Sequence, residues 1–401
     1  MRIIINECKK ILDIRIILLL CMFSILYYMT FTQIYRYPTG GQVTNTKYDI
    51  PFTAELVKEW GPKWKVKDEK QYQEKHQELE RGFAKIIKQD QELSKRGIVD
   101  YEIFNKKYEE LGQKTTLSKQ EKDLGKILEN YVFYNDKTSK IFLDIQALEH
   151  IREFQGSEYG VSDKKYKELK ADGFFDGTKL YQKAIEKRVK RDYISLVHEG
   201  VFYILQEDMV TIGGLIMICF FALIIPYQLK QRLRQVIPIL ATTKTGRRIY
   251  QIQLIASALA ALFVGILQMA VYGIIWHLKG LSVFWRCESW GIASNSYWCD
   301  KLSFGTYMLL YMALILLFAI ASIVIIDFIG RTIGNYMGAV AVSIPVCGVM
   351  MFLMRKIYYM LFLITNDQVL AYWELYALAT WLIVMLLFYK IRSKRWKKVD
   401  L

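Results

Sequence analysis

The feature that most constrains this chain is where its charges are missing. Uncharged, mostly apolar runs occupy Ile16–Tyr35, Met209–Leu229, Ile249–Leu278, Leu302–Ile326 and Thr332–Met354. A helix rising about 1.5 Å per residue needs about 20 residues to cross a bilayer core, and each run has that length. A sixth run, Leu375–Tyr389, is shorter. It becomes long enough once Gln368–Glu374 is included, which sets Glu374 near a membrane edge and, as an edge residue, in reach of water. The expected fold class is therefore an all-α membrane protein with six transmembrane helices.

The formal charge of +15 resembles a nucleic-acid signal until it is located. Residues 37–206 hold 31 Lys+Arg against 29 Asp+Glu, so the excess lies in short segments beside the apolar runs. Arg2, Lys9, Lys10 and Arg15 precede the first run. Lys230, Arg232, Arg234, Lys244, Arg247 and Arg248 lie between the second and third. Lys390, Arg392, Lys394, Arg395, Lys397 and Lys398 follow the last. Short cytoplasmic loops collect Lys and Arg, so all three groups are expected inside, with both termini cytoplasmic in a multi-pass plasma-membrane protein. The bilayer is the partner this charge implies, and nucleic acid is not. The first span offers no small-residue cleavage site after its apolar core, so it is expected to stay as an anchor.

Residues 1–15 pattern as a short amphipathic helix on the inner surface, with Ile4, Cys8, Ile11 and Leu12 on one side. Residues 16–35 form the first span, 207–392 hold spans two to six, and 393–401 are a basic tail. Between the first two spans, residues 37–206 are polar enough to be soluble and are expected to form a helical extracytoplasmic domain. Leu79, Phe83, Ile86 and Ile87 share a stripe, as do Leu124, Ile127, Leu128 and Tyr131. Such short stripes favour a compact domain over a coiled coil. A long helix from about 178 to 206 is expected to run into the second span. Residues 357–365 are apolar but too short to span, which predicts a re-entrant or interfacial helix.

Catalytic signatures fail on inspection. His198-Glu199 opens like a zinc-protease helix, but Phe202 stands where the second histidine belongs. Gly112-Gln113-Lys114-Thr115 lacks the upstream glycine of a phosphate loop. The four histidines have no metal spacing. No catalytic residue, metal ligand or cofactor site is assigned to this chain. Cys287 and Cys299 share one external loop, where a disulfide and two free thiols are both open. Within the membrane, Gln268 and Glu374 are the polar residues of interest, Gln268 chiefly as a hydrogen-bonding contact between helices.

The segment between spans two and three is more elaborate than a connection requires. Basic Lys230-Gln231-Arg232-Leu233-Arg234 leads to Pro238, then to Ile239-Leu240-Ala241-Thr242-Thr243-Lys244-Thr245-Gly246-Arg247. A plain topology signal accounts for the charges but not for the proline and the glycine turn. This pattern resembles the bacterial ABC type-2 permeases, where a Leu-rich stretch and Ser/Thr-x-x-x-Gly-Arg precede the third span. Glu7-Cys8-Lys9-Lys10-Ile11-Leu12-Asp13-Ile14-Arg15 is similar to the amphipathic connecting helix that opens those permeases. The likeness covers the membrane part, and one departure is that Gln228–Gln235 lacks the glutamate often found before that loop.

The resemblance implies the membrane-spanning subunit of an ATP-driven exporter for a peptide, lipid or amphipathic compound. Lys230–Arg248 would then hold a coupling helix, with Arg232, Arg234, Thr242, Thr243, Lys244, Gly246 and Arg247 facing an ABC ATPase, and Glu7 and Lys10 flanking it. ATP and Mg²⁺ would bind the partner ATPase, this chain would not itself be an enzyme, and a second permease subunit, identical or related, would complete the pathway. The competing expectation is a polytopic receptor or sensor whose extracytoplasmic domain binds a ligand.

Overall fold

The computed structural model describes residues 2–37, 49–65, 68–156, 171, 173, 177–189, 193–233, 249–289, 297–298 and 302–398. The described residues are almost entirely helical, and among them six helices are long and apolar enough to cross a membrane. They are α2 (Ile14–Phe31), α11 (Glu199–Leu233), α12 (Ile249–Leu278), α13 (Phe304–Thr332), α14 (Tyr336–Tyr358) and α15 (Trp373–Lys398). A multi-pass membrane protein follows from these six.

Side-chain caps set several of the helix boundaries. Asp13 accepts from the Arg15 N–H at the start of α2, Ser303 from Thr306 at α13, and Asn335 from Gly338 at α14. Each satisfies a backbone donor that the first helical turn leaves without a partner. At about 52 Å for its 35 residues, α11 is longer than a bilayer core is thick. It is also the central helix: 78% of its most apolar window is buried, against 17% for α2 and α15. It packs against α2, α12, α13 and α14. Gly213 makes one of these approaches possible, since a Cβ there would sit 2.6 Å from Met354 and 2.9 Å from Ile315.

The segment between the first two spans begins with α3 (Gln33–Arg36), α4 (Asp49–Trp60) and α5 (Glu69–Ile87). It continues with α6 (Gln91–Lys95), α7 (Tyr101–Gln113), α8 (Lys119–Glu129), α9 (Asp136–Gly156) and α10 (Lys179–Val189). A capping box opens α8, where Ser118 and Glu121 satisfy each other's backbone N–H groups. Two cores result. Far from the spans, Phe83, Ile87, Tyr101, Phe104, Leu128 and Phe142 enclose a cluster of their own. Nearer the spans, Ile50, Phe52, Leu56, Trp64 and Ile151 join the main core of the bundle.

Two sequence expectations are corrected here. The chain from 178 to 206 is not one helix: α10 ends at Val189, and Tyr193–Ser195 forms a strand, β2, before α11 starts at Glu199. The reason is a distant partner, the strand β1 (Lys63–Lys65), paired antiparallel with Trp64 opposite Ile194. Residues 357–365 do not form a re-entrant helix either. Helix α14 ends at Tyr358, Phe362 takes a positive φ of 59°, and β4 (Leu363–Ile364) pairs with β3 (Tyr297–Trp298). Tyr307 donates to the Leu361 carbonyl at 2.9 Å and Tyr311 to that of Tyr358, so side chains of α13 satisfy this buried backbone without a helical ladder.

The inserted segment touches several connections between spans. Ser195 donates to the Glu288 carbonyl at 2.9 Å, and the Glu288 carboxylate takes Lys63 at 2.8 Å and the Tyr193 hydroxyl at 2.9 Å. Thr178 donates through its N–H to the Asn366 carbonyl and through its hydroxyl to that of Gln368. Lys279 donates to the Tyr37 carbonyl. The insert is thus seated over one end of the bundle, and α1 (Arg2–Ile11) lies at the other.

Candidate functional site

At the end of the bundle away from the insert, α1 is held against α12 and α11. Its apolar side packs inward: Ile11 is buried, with Ile4, Cys8 and Leu12 against the core. The Cys8 thiol donates to the Ala256 carbonyl at 3.5 Å, and burial pushes that thiol above its ordinary pKa, so it stays protonated. Glu7 is the exception to the apolar face. It is 5% exposed, takes a 2.6 Å ion pair from Lys10 and accepts a hydrogen bond from the Tyr227 hydroxyl. Tyr227 stands on the last turns of α11, shortly before the 230–248 segment.

A second buried polar group lies one residue further on. Gln228 donates to Asp327 Oδ1 at 2.5 Å, and Arg331 Nε donates to Asp327 Oδ2 at 2.8 Å. The Arg331 fork also reaches Gln253 Oε1 at 2.8 Å and lies 5.0 Å over the Tyr250 ring. The side chains of Asp327 and Arg331 are 0% and 3% exposed. A fully buried ion pair recovers its desolvation cost only when its remaining donors and acceptors are met, and each glutamine meets one of them. Arg232 then donates to the Arg331 and Thr332 carbonyls at 3.1 and 2.8 Å, closing the C-terminus of α13. Gly330 lets α11 and α13 meet here, because a Cβ there would lie 2.9 Å from that of Gln228.

These contacts join α1, α11, α12 and α13 in one polar junction, and Tyr250 stacks on Tyr389 of α15. Gln228 Oε1, Gln253 Nε2 and Ser257 Oγ are buried nearby without hydrogen-bond partners among the described residues.

Of the site residues expected from sequence, Glu7, Lys10 and Arg232 belong to this junction. Arg234, Thr242, Thr243, Lys244, Gly246 and Arg247 lie outside the described residues. Gln268 sits deeper, donating to Ser24 at 2.8 Å while its carbonyl accepts from Tyr28 at 2.8 Å, and so it ties α12 to α2. Glu374 is not an edge residue reaching water, as expected, but is fully buried; its carboxylate accepts the Phe362 N–H at 3.0 Å and fixes the left-handed turn there. Cys287 carries a buried free thiol 3.7 Å from the Leu196 carbonyl, raised by burial to about 12; Cys299 lies outside the described residues. Among the described residues, no cluster of His, Cys, Asp and Glu could hold a metal ion.

The sequence reading passed over Tyr227, Gln228, Gln253, Asp327 and Arg331. The uncharged runs stop at Ile326 and resume at Thr332, which sets Asp327–Arg331 between two spans, whereas both lie inside α13 and the break falls at residues 333–335. A signal was present: opposite charges spaced i, i+4 at the end of an apolar run can neutralise each other on one helix face. Comparison with known proteins adds nothing to this assignment, because no family model, curated protein or solved structure matches the chain.

Proposed function

We propose that this chain is the membrane-spanning subunit of an ATP-driven exporter of the ABC type-2 permease kind, working with a separate ATPase. The supporting observation is the polar junction, where Glu7 of α1 accepts from Tyr227 just before the 230–248 segment. A helix lying along the membrane surface and the approach to an elaborate loop share one seat. A push on either is passed to α12 and α13 through Gln253, Asp327 and Arg331. That is the layout a docking ATPase needs to move spans as a unit.

In this reading α1 and residues 230–248 face the cytoplasm of a bacterial cell, both termini are cytoplasmic, and the insert is an extracytoplasmic helical domain. ATP and Mg²⁺ bind the ATPase, whose closure biases two arrangements of a pair of membrane subunits. The exported compound is a peptide, a lipid or another amphipathic molecule.

Two measurements test it. A cysteine at Gln120 reacts with an impermeant thiol reagent on intact cells, and one at Thr245 does not; reversed labelling removes the topology on which everything else depends. In proteoliposomes holding the complete transporter, Thr242→Ala and Gly246→Leu lower transport-linked ATP hydrolysis although every charge is kept. Unchanged coupling in both, or no ATPase recovered with the full-length chain, favours the receptor reading instead.

A further inference from the structure

Beside the junction, the elbow between α1 and α2 and the end of α11 enclose a cavity of about 450 Å³. Its cationic lining is Lys9, Lys10 and Lys230, and its acid is Asp13. Asp13 accepts from the Arg15 N–H as the cap of α2, and Lys10 is matched by Glu7. No described carboxylate forms an ion pair with Lys9 or Lys230, so two lysines face the cavity against the single carboxylate of Asp13, and the cavity carries a net positive charge. The remaining wall includes Leu12, Ile16 and Pro226. This places ammonium groups and aliphatic carbons side by side where the first span begins.

A second observation concerns what lies beyond the mouth. Helix α2 exposes Ile14, Leu18, Leu19, Met22, Phe23, Ile25 and Leu26, so a broad apolar surface leads from the cavity along the span. A site for a free anion has no use for such a surface. A molecule with a phosphate at one end and acyl chains at the other fits both parts: headgroup phosphate against the lysines, chains along α2.

We infer that this cavity seats the phosphate headgroup of an anionic phospholipid, with Lys9 and Lys230 as the phosphate-binding cations and α2 as the acyl-chain surface. Lys10 adds to the field and stays tied to Glu7. A lipid held there wedges the elbow against α11, so lipid charge acts on the seat of α1. The inference rests on the cavity and on α2 as a membrane span, and stands whether or not the exporter reading does.

The test is native mass spectrometry of the full-length protein in detergent, titrated with phosphatidylglycerol or with phosphatidylcholine of the same chains. Wild type retains phosphatidylglycerol preferentially. Lys9→Gln and Lys230→Gln each weaken that retention about fivefold, and together they abolish the preference, while phosphatidylcholine retention is unchanged. Lys9→Arg with Lys230→Arg keeps the preference, which separates lost charge from lost folding. Lys390→Gln, a lysine of α15, leaves retention untouched. Equal retention in the double glutamine variant, or the same loss in Lys390→Gln, overturns the site. Displacement of phosphatidylglycerol by inorganic phosphate at matched concentration overturns the lipid assignment in favour of a free-anion site.

Discussion

The distal core of the insert and the core of the spans are built from different forces. In the insert, Phe83, Tyr101, Phe104 and Phe142 meet with ring centroids 5.2–6.0 Å apart, mostly tilted or edge-on, and polar groups stay at the rim. There, Tyr131 donates to Asp90 and Tyr101 to Glu149. Water drives that assembly, and aromatic edges refine it. Among the spans, lipid tails are as apolar as leucine, so burial gives helices no reason to choose one another. Specificity comes instead from close approach at Gly213 and Gly330 and from buried polar pairs such as Asp327–Arg331 and Gln268–Ser24. One core is selected by what it removes from water, the other by the polar groups that must find partners.

The largest expected effect falls on the spans. Arg331→Met leaves Asp327 buried without its cation and costs about 3–5 kcal/mol, read as lost thermal stability of the full-length protein in detergent. Asp327→Leu combined with Arg331→Met restores part of it, since no charge is left buried although Gln228 and Gln253 lose their partners. If the double variant is as unstable as the single one, the pair contributes packing and not charge. In the insert, Phe104→Ala costs about 3 kcal/mol by opening a cavity, seen as faster hydrogen exchange in α5, α7 and α9. Equal loss of protection in the spans would mean that the two cores are one.

A smaller effect belongs to the seam between α4 and α9. Burial raises both Asp49 and Asp144 to about 7; His198 lies 3.9 Å from Asp49, while Lys140, Lys75 and Glu55 surround Asp144. Each carboxyl holds its proton more tightly folded than unfolded. The seam is therefore most stable below the ordinary carboxyl pKa, weakens as pH rises towards about 7, and levels off above it. Asp144→Asn flattens part of that slope and adds on the order of 1–2 kcal/mol at alkaline pH, after allowing for the hydration that remains. A slope of opposite sign in pH-dependent hydrogen exchange rejects this account. The smallest effect is Gln268→Leu, about 0.6 kcal/mol, as expected for one hydrogen bond between spans.

How far these regions were legible in the sequence follows the same division. The apolar runs mark all six spans because length and hydropathy are local properties. The stripes Leu79–Phe83–Ile87 and Leu124–Leu128 supply core residues of the insert for the same reason. The strand Tyr193–Ser195 was hidden because its partner, Lys63–Lys65, lies far away in the chain and neither strand is long enough to show alternation. Glu374 was read as an edge residue because a hydropathy window cannot see the Phe362 N–H that holds it. Asp327 and Arg331 fall in the charged gap between two apolar runs and so signal a turn, although paired at i, i+4 they let the helix continue. Tyr227 and Gln253 gave no sign at all: what makes them part of the junction is which helix faces them.

The contacts that seat the insert also impose an order of events during synthesis. The distal cluster needs only residues from Phe83 to Ile145 and can close while the later spans are still unmade. Thr178, however, waits for Gln368, 190 residues downstream. At roughly 5–20 residues per second that is a delay of about 10–40 s, during which a finished knob hangs from two spans without a socket. The same holds for Ser195 and Glu288, 93 residues apart. A chain truncated before residue 279, which lacks both Glu288 and Gln368, should therefore fold its knob and leave it swinging, open to protease at the hinge around β2.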